Sequence, residues 1–458
     1  MFSYLHRGKD FYREVFALAL PMIFQSLVTD SLRLLDTFMV GLLGETPMAA
    51  VTLANIPIFV IYLMTFGLQS GESILIAQFY GKGDTDSVNR VMGIALYLAG
   101  GLTFAFGCIL FFAPVPFMSL FGNDSGVIAQ AARYGKIVSF SFLFDSLAQV
   151  YIAAHRSMGR PKLGSWILSG AGVVNAILNY LLIFGKLGLP AMGIAGAALA
   201  TALSRLLELV CVLFHALAGR TFPLRPALLL RPGRDMLHRY IRYGTPVLLN
   251  ETLYGLGNSL YTTIMGHMPL SQAILAAYGI SGNINQVCTV IVFAMSGAAS
   301  IIVGREIGAG RRETVYDVGR ALDTVAFLAG AVTGGAFLVV TYRFFVPVVY
   351  PIFSLSPQAR EIATLMSVVT FSTLALRSFN STNVVGVLRG GGDVKMTSLI
   401  DLGPLWLVAL PCAALSGLVF QWGILAVCLS MALENVVKFF LGLWRLHSGK
   451  WIRDVTEE

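Results

Sequence analysis

From end to end this chain is punctuated by about a dozen apolar stretches, most of them at or above the roughly 20 residues that carry a helix through a bilayer, joined by short polar connections. Charged residues make up 12 % of the chain against 56 % apolar, about half the charge with which a soluble domain wets its surface. The expected class is an all-α polytopic membrane protein whose main partner is the lipid bilayer. Twelve transmembrane helices are expected, over 15–43, 48–79, 91–112, 128–154, 163–184, 191–218, 240–265, 273–303, 318–342, 362–388, 396–418 and 423–446. The second and eighth stretches are too long for one crossing and should protrude or tilt.

The net charge of +8 does not point to nucleic acid, because Lys and Arg sit in loops and not along one helical face. They concentrate on alternate loops: Arg156, Arg160 and Lys162; Arg311 and Arg312; and Arg220, Arg225, Arg231 and Arg234. By the positive-inside rule these loops and both termini are cytoplasmic, which requires an even number of spans. Arg7, Lys9 and Arg13 lead into the first span with no small-residue cleavage site, so that span reads as an uncleaved anchor in the plasma (cell inner) membrane. The five cysteines (Cys108, Cys211, Cys288, Cys412, Cys428) lie within apolar segments, without metal-ligand or disulfide spacing, and read as packing residues.

The two halves repeat one another. Ser73 to Ile76 with Gly81-Lys82-Gly83 returns about 227 residues later as Ser300 to Val303 with Gly308-Ala309-Gly310. Arg156, Gly159 and Lys162 return as Arg389, Gly392 and Lys395. Leu203, Ser204 and Glu208 return as Leu429, Ser430 and Glu434, and Pro21, Thr37 and Gly41 as Pro246, Thr262 and Gly266. Four matches in the same order imply a six-plus-six architecture: an N-terminal lobe over 1–218, a basic cytoplasmic linker over 219–239 and a C-terminal lobe over 240–458. With six spans each, both halves enter the membrane from the same side, a parallel repeat of the kind that transporters use for alternating access.

A charge in the bilayer core costs about 2.5–3.5 kcal/mol on insertion scales, so each one needs a reason. Asp30, Arg33 and Asp36 share one face of the first span. Arg33 can neutralise one aspartate, which leaves a carboxylate free, and Asp36 is the candidate ion carrier. Glu251 lies about eleven residues into the seventh span beside Asn250, with no basic residue within a turn, and is expected to be an unpaired carboxyl suited to a proton or a cation. Asn175 and Asn179, four apart on the fifth span, offer amide oxygens to a hard cation such as sodium or a bridge to another helix. Asp145 and Arg377 hold nearly matching places in the fourth and tenth spans, either as an ion pair across the lobes or as lining of a substrate cavity. Arg205 with Glu208 and Glu434 with Lys438 read as local structural pairs, and Glu72 as a wetted residue near the inner end of its span. Pro21 and Pro246 interrupt equivalent helices and are candidate hinges.

Phosphate-binding GxxxxGK[ST], HExxH and GxSxG motifs are absent, so neither ATP hydrolysis by that route nor these enzyme classes is expected. No cofactor is needed if an ion gradient drives transport.

These residues resemble the multidrug and toxic compound extrusion (MATE) transporters over nearly the whole chain. The matching pieces are Ala19 to Ile23, Leu35-Asp36-Thr37-Phe38-Met39-Val40-Gly41, Gly81 to Asp84, Asn175 with Asn179 to Gly185, Gly308 to Gly310 and Gly386 to Asp393. The resemblance implies a V-shaped pair of six-helix lobes that exports cationic, amphiphilic small molecules in exchange for H+ or Na+. It further implies a coupling site at Asp36, Asn175 and Asn179, which would hold any Na+, with Tyr134 and Thr201 as companions, and a second acidic position at Glu251. Two departures stand out. Asn179 replaces an aspartate found in some members, and no acid lies near Ser378, Asn380 or Asn383 on the tenth span, where Arg377 stands instead. The chain is expected to act as a monomer. The rival reading is a flippase for a lipid-linked saccharide, a class that tends to about fourteen spans and a basic cavity.

The topology makes a direct prediction. Single cysteines placed in the turn over 44–47 should react with an impermeant thiol reagent added outside cells, and those in the linker over 220–234 should not. The reverse pattern would overturn the orientation.

Overall fold

In the hydrocarbon of a bilayer a backbone can satisfy its own polar groups only as a helix or a closed barrel. In a computed structural model this chain takes the first course, and among the described residues there is no strand. Those residues are 3–5, 7–122, 124–219, 222–352 and 356–457, so the linker residue Arg220 lies outside them. The first half contains α1 (Lys9–Gly41), α2 (Glu45–Lys82), α3 (Thr85–Phe112), α4 (Ser125–Val138), α5 (Ser141–Ser157), α6 (Pro161–Phe184) and α7 (Ile194–Leu217). The second contains α8 (Arg234–Gly266), α9 (Ser271–Gly308), α10 (Arg312–Val349), α11 (Pro357–Ser372), α12 (Leu374–Leu388), α13 (Val394–Val419) and α14 (Ile424–His447).

Nine of the described helices are long and apolar enough to cross a membrane. The bent pairs α4–α5 and α11–α12, each turning by 48°, raise the number to as many as eleven. Twelve spans were expected, and the difference lies in α8. It is continuous over 33 residues, but Arg234, Asp235, His238, Arg239 and Arg242 crowd its start and Asn250, Glu251 and Asn258 follow, so it falls short on hydropathy. The two stretches expected to be overlong form α2 and α9, of 38 residues each, about 57 Å at 1.5 Å per residue. Large apolar side chains face outward along the spans, among them Phe214, Leu407 and Trp166 at 75–79 % exposure, as lipid-facing surface should.

The chain divides into two compact units. One comprises residues 24–80 and 84–248, with a core of α1, α2, α3, α4 and α7 side chains around Val40, Ala54, Leu110, Ala131 and Ala198. The other comprises residues 1–23, 81–83 and 249–458. In its core Val15, Leu18, Ala19 and Met22 of α1 pack with Ala298, Ile302, Val387 and Trp451. These units do not follow the repeat. Each proline helix is shared between them: α1 divides after Ile23, two residues past Pro21, and α8 after Leu248, two residues past Pro246.

The linker is docked, not slack. Asn89 of α3 donates to Pro223 O (3.2 Å) and accepts from Arg225 N (3.0 Å), Arg225 pairs with Asp86, and Tyr97 donates to Leu230 O. At the other end of the chain the segment after α14 folds back on its own unit. Trp451 is fully buried, donates from Nε1 to Leu446 O, and lies under Gly391 and Gly319. Arg453 N donates to Gly391 O, and Arg312 pairs with Asp454 and Glu457. Gly83 and Gly310, the repeat-related residues that end the long helices, have φ of +82° and +78°, a conformation that glycine adopts at little cost.

Close helix crossings rely on glycines spaced four apart, as membrane helices often do. On α10, a Cβ added to Gly330 would lie 2.6 Å from Ser378 Cβ, and one on Gly334 would lie 2.4 Å from Phe371 O. Gly334→Leu should therefore destabilise the protein by about 1–3 kcal/mol through overpacking, seen as a lower melting temperature in detergent. Gly335→Leu, whose Cβ meets nothing within 4 Å, should leave it unchanged. Equal melting of the two variants would refute the crossing.

Candidate coupling site

In the first unit the residues singled out on α1 and α6 meet. Asn179, fully buried, donates from Nδ2 to Asp36 Oδ1 at 2.7 Å and to Asn175 Oδ1 at 3.2 Å. Its own Oδ1 is buried without a hydrogen-bond partner. Tyr134 of α4 hydrogen-bonds Thr201 of α7 and lies within electrostatic reach of Asp36; Thr201 also donates to Ala197 O at 3.0 Å. Four side chains from three other helices thus gather around the carboxylate of Asp36, Asn179 touching it directly. The i, i+4 spacing of Asn175 and Asn179 places both amides on the face that α6 turns to Asp36. Arg33 stands apart, two-thirds exposed and 3.9 Å from Asp30, so the basic residue of the α1 triad takes Asp30 and leaves Asp36 to the amides.

This donor set has the chemistry of a hard-cation or proton site. It offers one carboxylate and neutral amide and hydroxyl oxygens, which suit a proton or Na+. Among the described residues no group of three or more His, Cys, Asp and Glu gathers, so a cation here would be held by a single carboxylate.

Asp145 and Arg377 do not pair with one another. Asp145 of α5 binds Arg205 of α7 at 3.0 Å, and Arg205 also holds Glu208 at 3.0 Å. The expected local Arg205–Glu208 pair is therefore part of a triad. Arg377 of α12 instead donates to Asn285 Oδ1 of α9 at 2.7 Å. The reason is local: each finds a partner on a neighbouring helix of its own unit.

The second unit corrects the expectation for Glu251. Its carboxylate is paired, with Arg389 Nη1 at 2.8 Å, and that guanidinium is almost completely buried. The adjacent Asn250 donates to Asp401 Oδ2 of α13 at 2.8 Å. Lys438 of α14 bridges Asp401 and Glu434, 2.7 Å from each, and lies 4.5 Å from the centre of the Tyr254 ring. Tyr254 and Tyr261 of α8 both reach Glu434 at 3.4 Å. The Glu434–Lys438 pair expected to be merely local is thus the hub of a network across α8, α13 and α14. Two interior acids escaped sequence reasoning: Asp401, partly buried, and Asp323 of α10, fully buried, which accepts from Asn383 at 2.7 Å. A signal was present for both, since each is an ionisable residue inside an apolar stretch.

Removing the hub would strand two carboxylates in low dielectric, where the loss of one partner of a buried pair costs about 3–5 kcal/mol. Lys438→Met should therefore unfold at a markedly lower temperature in detergent. Lys438→Met with Asp401→Asn, which also removes one stranded charge, should recover part of the loss. Additive losses in that double-mutant cycle would dissolve the network.

The chain is 26 % identical to "Probable multidrug resistance protein NorM" of Thermotoga maritima, over 96 % of this chain and 93 % of that one. It is 29 % identical to the Bradyrhizobium diazoefficiens protein of the same name (91 % and 89 %), and 23 % identical to "Uncharacterized transporter YisQ" of Bacillus subtilis (98 % and 97 %). Among solved structures, a mutant of the Vibrio cholerae MATE transporter VcmN superposes with a TM-score of 0.85 at 20 % identity, covering 98 % of this chain and 99 % of that one. A MOP superfamily transporter from Pyrococcus furiosus gives 0.84 at 20 %, covering 98 % of each chain. The sequence model of the MatE family matches twice, over residues 21–181 and 246–415, once in each half. This multi-pass membrane protein belongs to the MatE family of transporters.

Proposed function

We propose that the chain exports organic cations or related drug-like or metabolic small molecules by antiport against H+ or Na+, with Asp36 as the principal coupling residue. The observation that carries this reading is the isolation of Asp36: a membrane carboxylate held by the Asn179 amide while its neighbour Arg33 is turned to Asp30. An ionised Asp36 can accept the Asn179 amide and a cation together. Once protonated, it no longer needs a counter-charge, so proton and metal cation are alternatives at one position. The buried Asn179 Oδ1 is a further oxygen available to such a cation. On this reading α8 supplies the remaining span, giving twelve in two sets of six with both termini cytoplasmic. The lobes are those of the repeat, Pro21 and Pro246 are the hinges, and the membrane is the plasma membrane. The relatives' names as multidrug resistance proteins favour export of small molecules over lipid-linked saccharide flipping.

Vesicle efflux of a panel of fluorescent organic cations, driven separately by a proton and a sodium gradient, tests substrate class and coupling together. Asp36→Asn should leave the protein folded and reduce gradient-driven efflux to background; wild-type efflux from this variant would refute the site. Glu251→Gln should give a smaller, partial loss with an altered pH profile, since the amide oxygen can still accept from Arg389 but no longer answers its charge. A transport-versus-pH curve superimposable on wild type would remove Glu251 from the mechanism.

A further inference from the structure

Glu72 of α2 was expected to be wetted, but it is fully buried, and neither carboxylate oxygen has a hydrogen-bond partner. Its cover is the leading segment of α8. A Cβ on Gly71 would lie 2.6 Å from Gly244 Cα, one on Gly67 would lie 2.8 Å from Leu248 Cα, and Tyr240 donates to Leu68 O at 2.7 Å. Leu68 and Glu72 are four apart on one helical face, so the tyrosine hydroxyl and the carboxyl share the crossing. This covering segment ends at Leu248, just past Pro246, where α8 passes from one compact unit to the other.

Among the described residues, the titratable or charged groups of other helices that face Glu72 are Tyr240 of α8, and Arg156 at the end of α5, which attracts it from beyond hydrogen-bond distance. The repeat gives Arg156 a meaning. Its counterpart in the second half is Arg389, which holds a buried glutamate, Glu251, in an ion pair at 2.8 Å. One half thus contains an arginine–glutamate pair made, and the other contains the same arginine beside a glutamate that is unpaired. The position matching Glu72 itself is Ala299, also fully buried, so this crossing packs without a carboxyl. A carboxyl that makes no hydrogen bond gives the crossing no polar contact, and its ionised form is costly there without a partner.

We propose that Glu72 is a second proton-binding site of the transporter. It is protonated while the leading segment of α8 covers it, and it releases the proton when it turns to pair with Arg156. The part that concerns transport rests on the antiport reading above; the proton exchange does not depend on Asp36.

A hydrophobic carbodiimide, which reacts with protonated carboxyls in apolar surroundings, tests this on the full chain in phosphatidylcholine vesicles. Modification of Glu72 is read by peptide mass over a pH series, in the wild type and in Asp36→Asn. We expect labelling at acid pH that falls about tenfold towards alkaline pH in both proteins, as a titrating group requires. In Arg156→Met the midpoint should rise by at least about one pH unit, because the ionised form loses its partner. Glu72→Gln should keep the fold and shift the pH profile of efflux. Absent or pH-independent labelling, an unmoved midpoint in Arg156→Met, or efflux from Glu72→Gln that follows the wild-type pH curve would each overturn the proposal. Should Glu72→Gln fail to fold, the labelling of the wild type decides. Should Asp36→Asn pump normally while Glu72 titrates, the Asp36 reading fails and this one stands.

Discussion

An ionised side chain in hydrocarbon persists only when something answers its charge, and this requirement arranges the polar interior of both units. Asp401 lies between Asn250 and Lys438, Glu434 between Lys438 and two tyrosines, and Glu251 against Arg389. Asp145 and Glu208 share Arg205, and Asp393 lies between Arg445 and Arg453. These clusters hold helices together and, the partly exposed Glu251 apart, have little reason to change charge. Asp36 is met by the Asn179 amide and not by a cation, and the Glu72 oxygens have no hydrogen-bond partner. Chemistry that requires a group to gain and lose a proton belongs where the answering charge is missing.

Much of the fold was legible because hydrophobic length is a one-dimensional property. The helices fell where the apolar runs fell, and the overlong runs became α2 and α9, of 38 residues each. The bends were not legible. The stretch expected as one span over 128–154 turns by 48° between Val138 and Ser141, and the one over 362–388 turns by the same angle at Thr373. Neither break carries the proline that most often announces a kink; at each, hydroxyls of Ser139, Ser141 and Thr373 bond carbonyls of the preceding turn, a signal that such residues give only weakly.

The first-unit site was legible for a related reason. Asn175 and Asn179 advertise themselves by spacing within one helix, and Asp30, Arg33 and Asp36 do the same. Pairings across helices left no such trace. Arg389 lies 138 positions from Glu251, and Asp401 lies 151 from Asn250, so the sequence showed a lone glutamate where the structure has a pair. Glu72 was misjudged because its place near the inner end of a long span suggested water, whereas glycines on both sides of the crossing let α8 close over it.

The segment that follows α14 deserves the same weight as a transmembrane helix. Its tryptophan fills the hollow left by Gly319 and Gly391, and its backbone is stitched to Gly391. Anyone who trims the protein for crystallisation, or fuses a fluorescent reporter shortly after His447, would therefore be excising part of the hydrophobic interior. The safer junction lies beyond Glu457, where Arg312 has already clasped the chain.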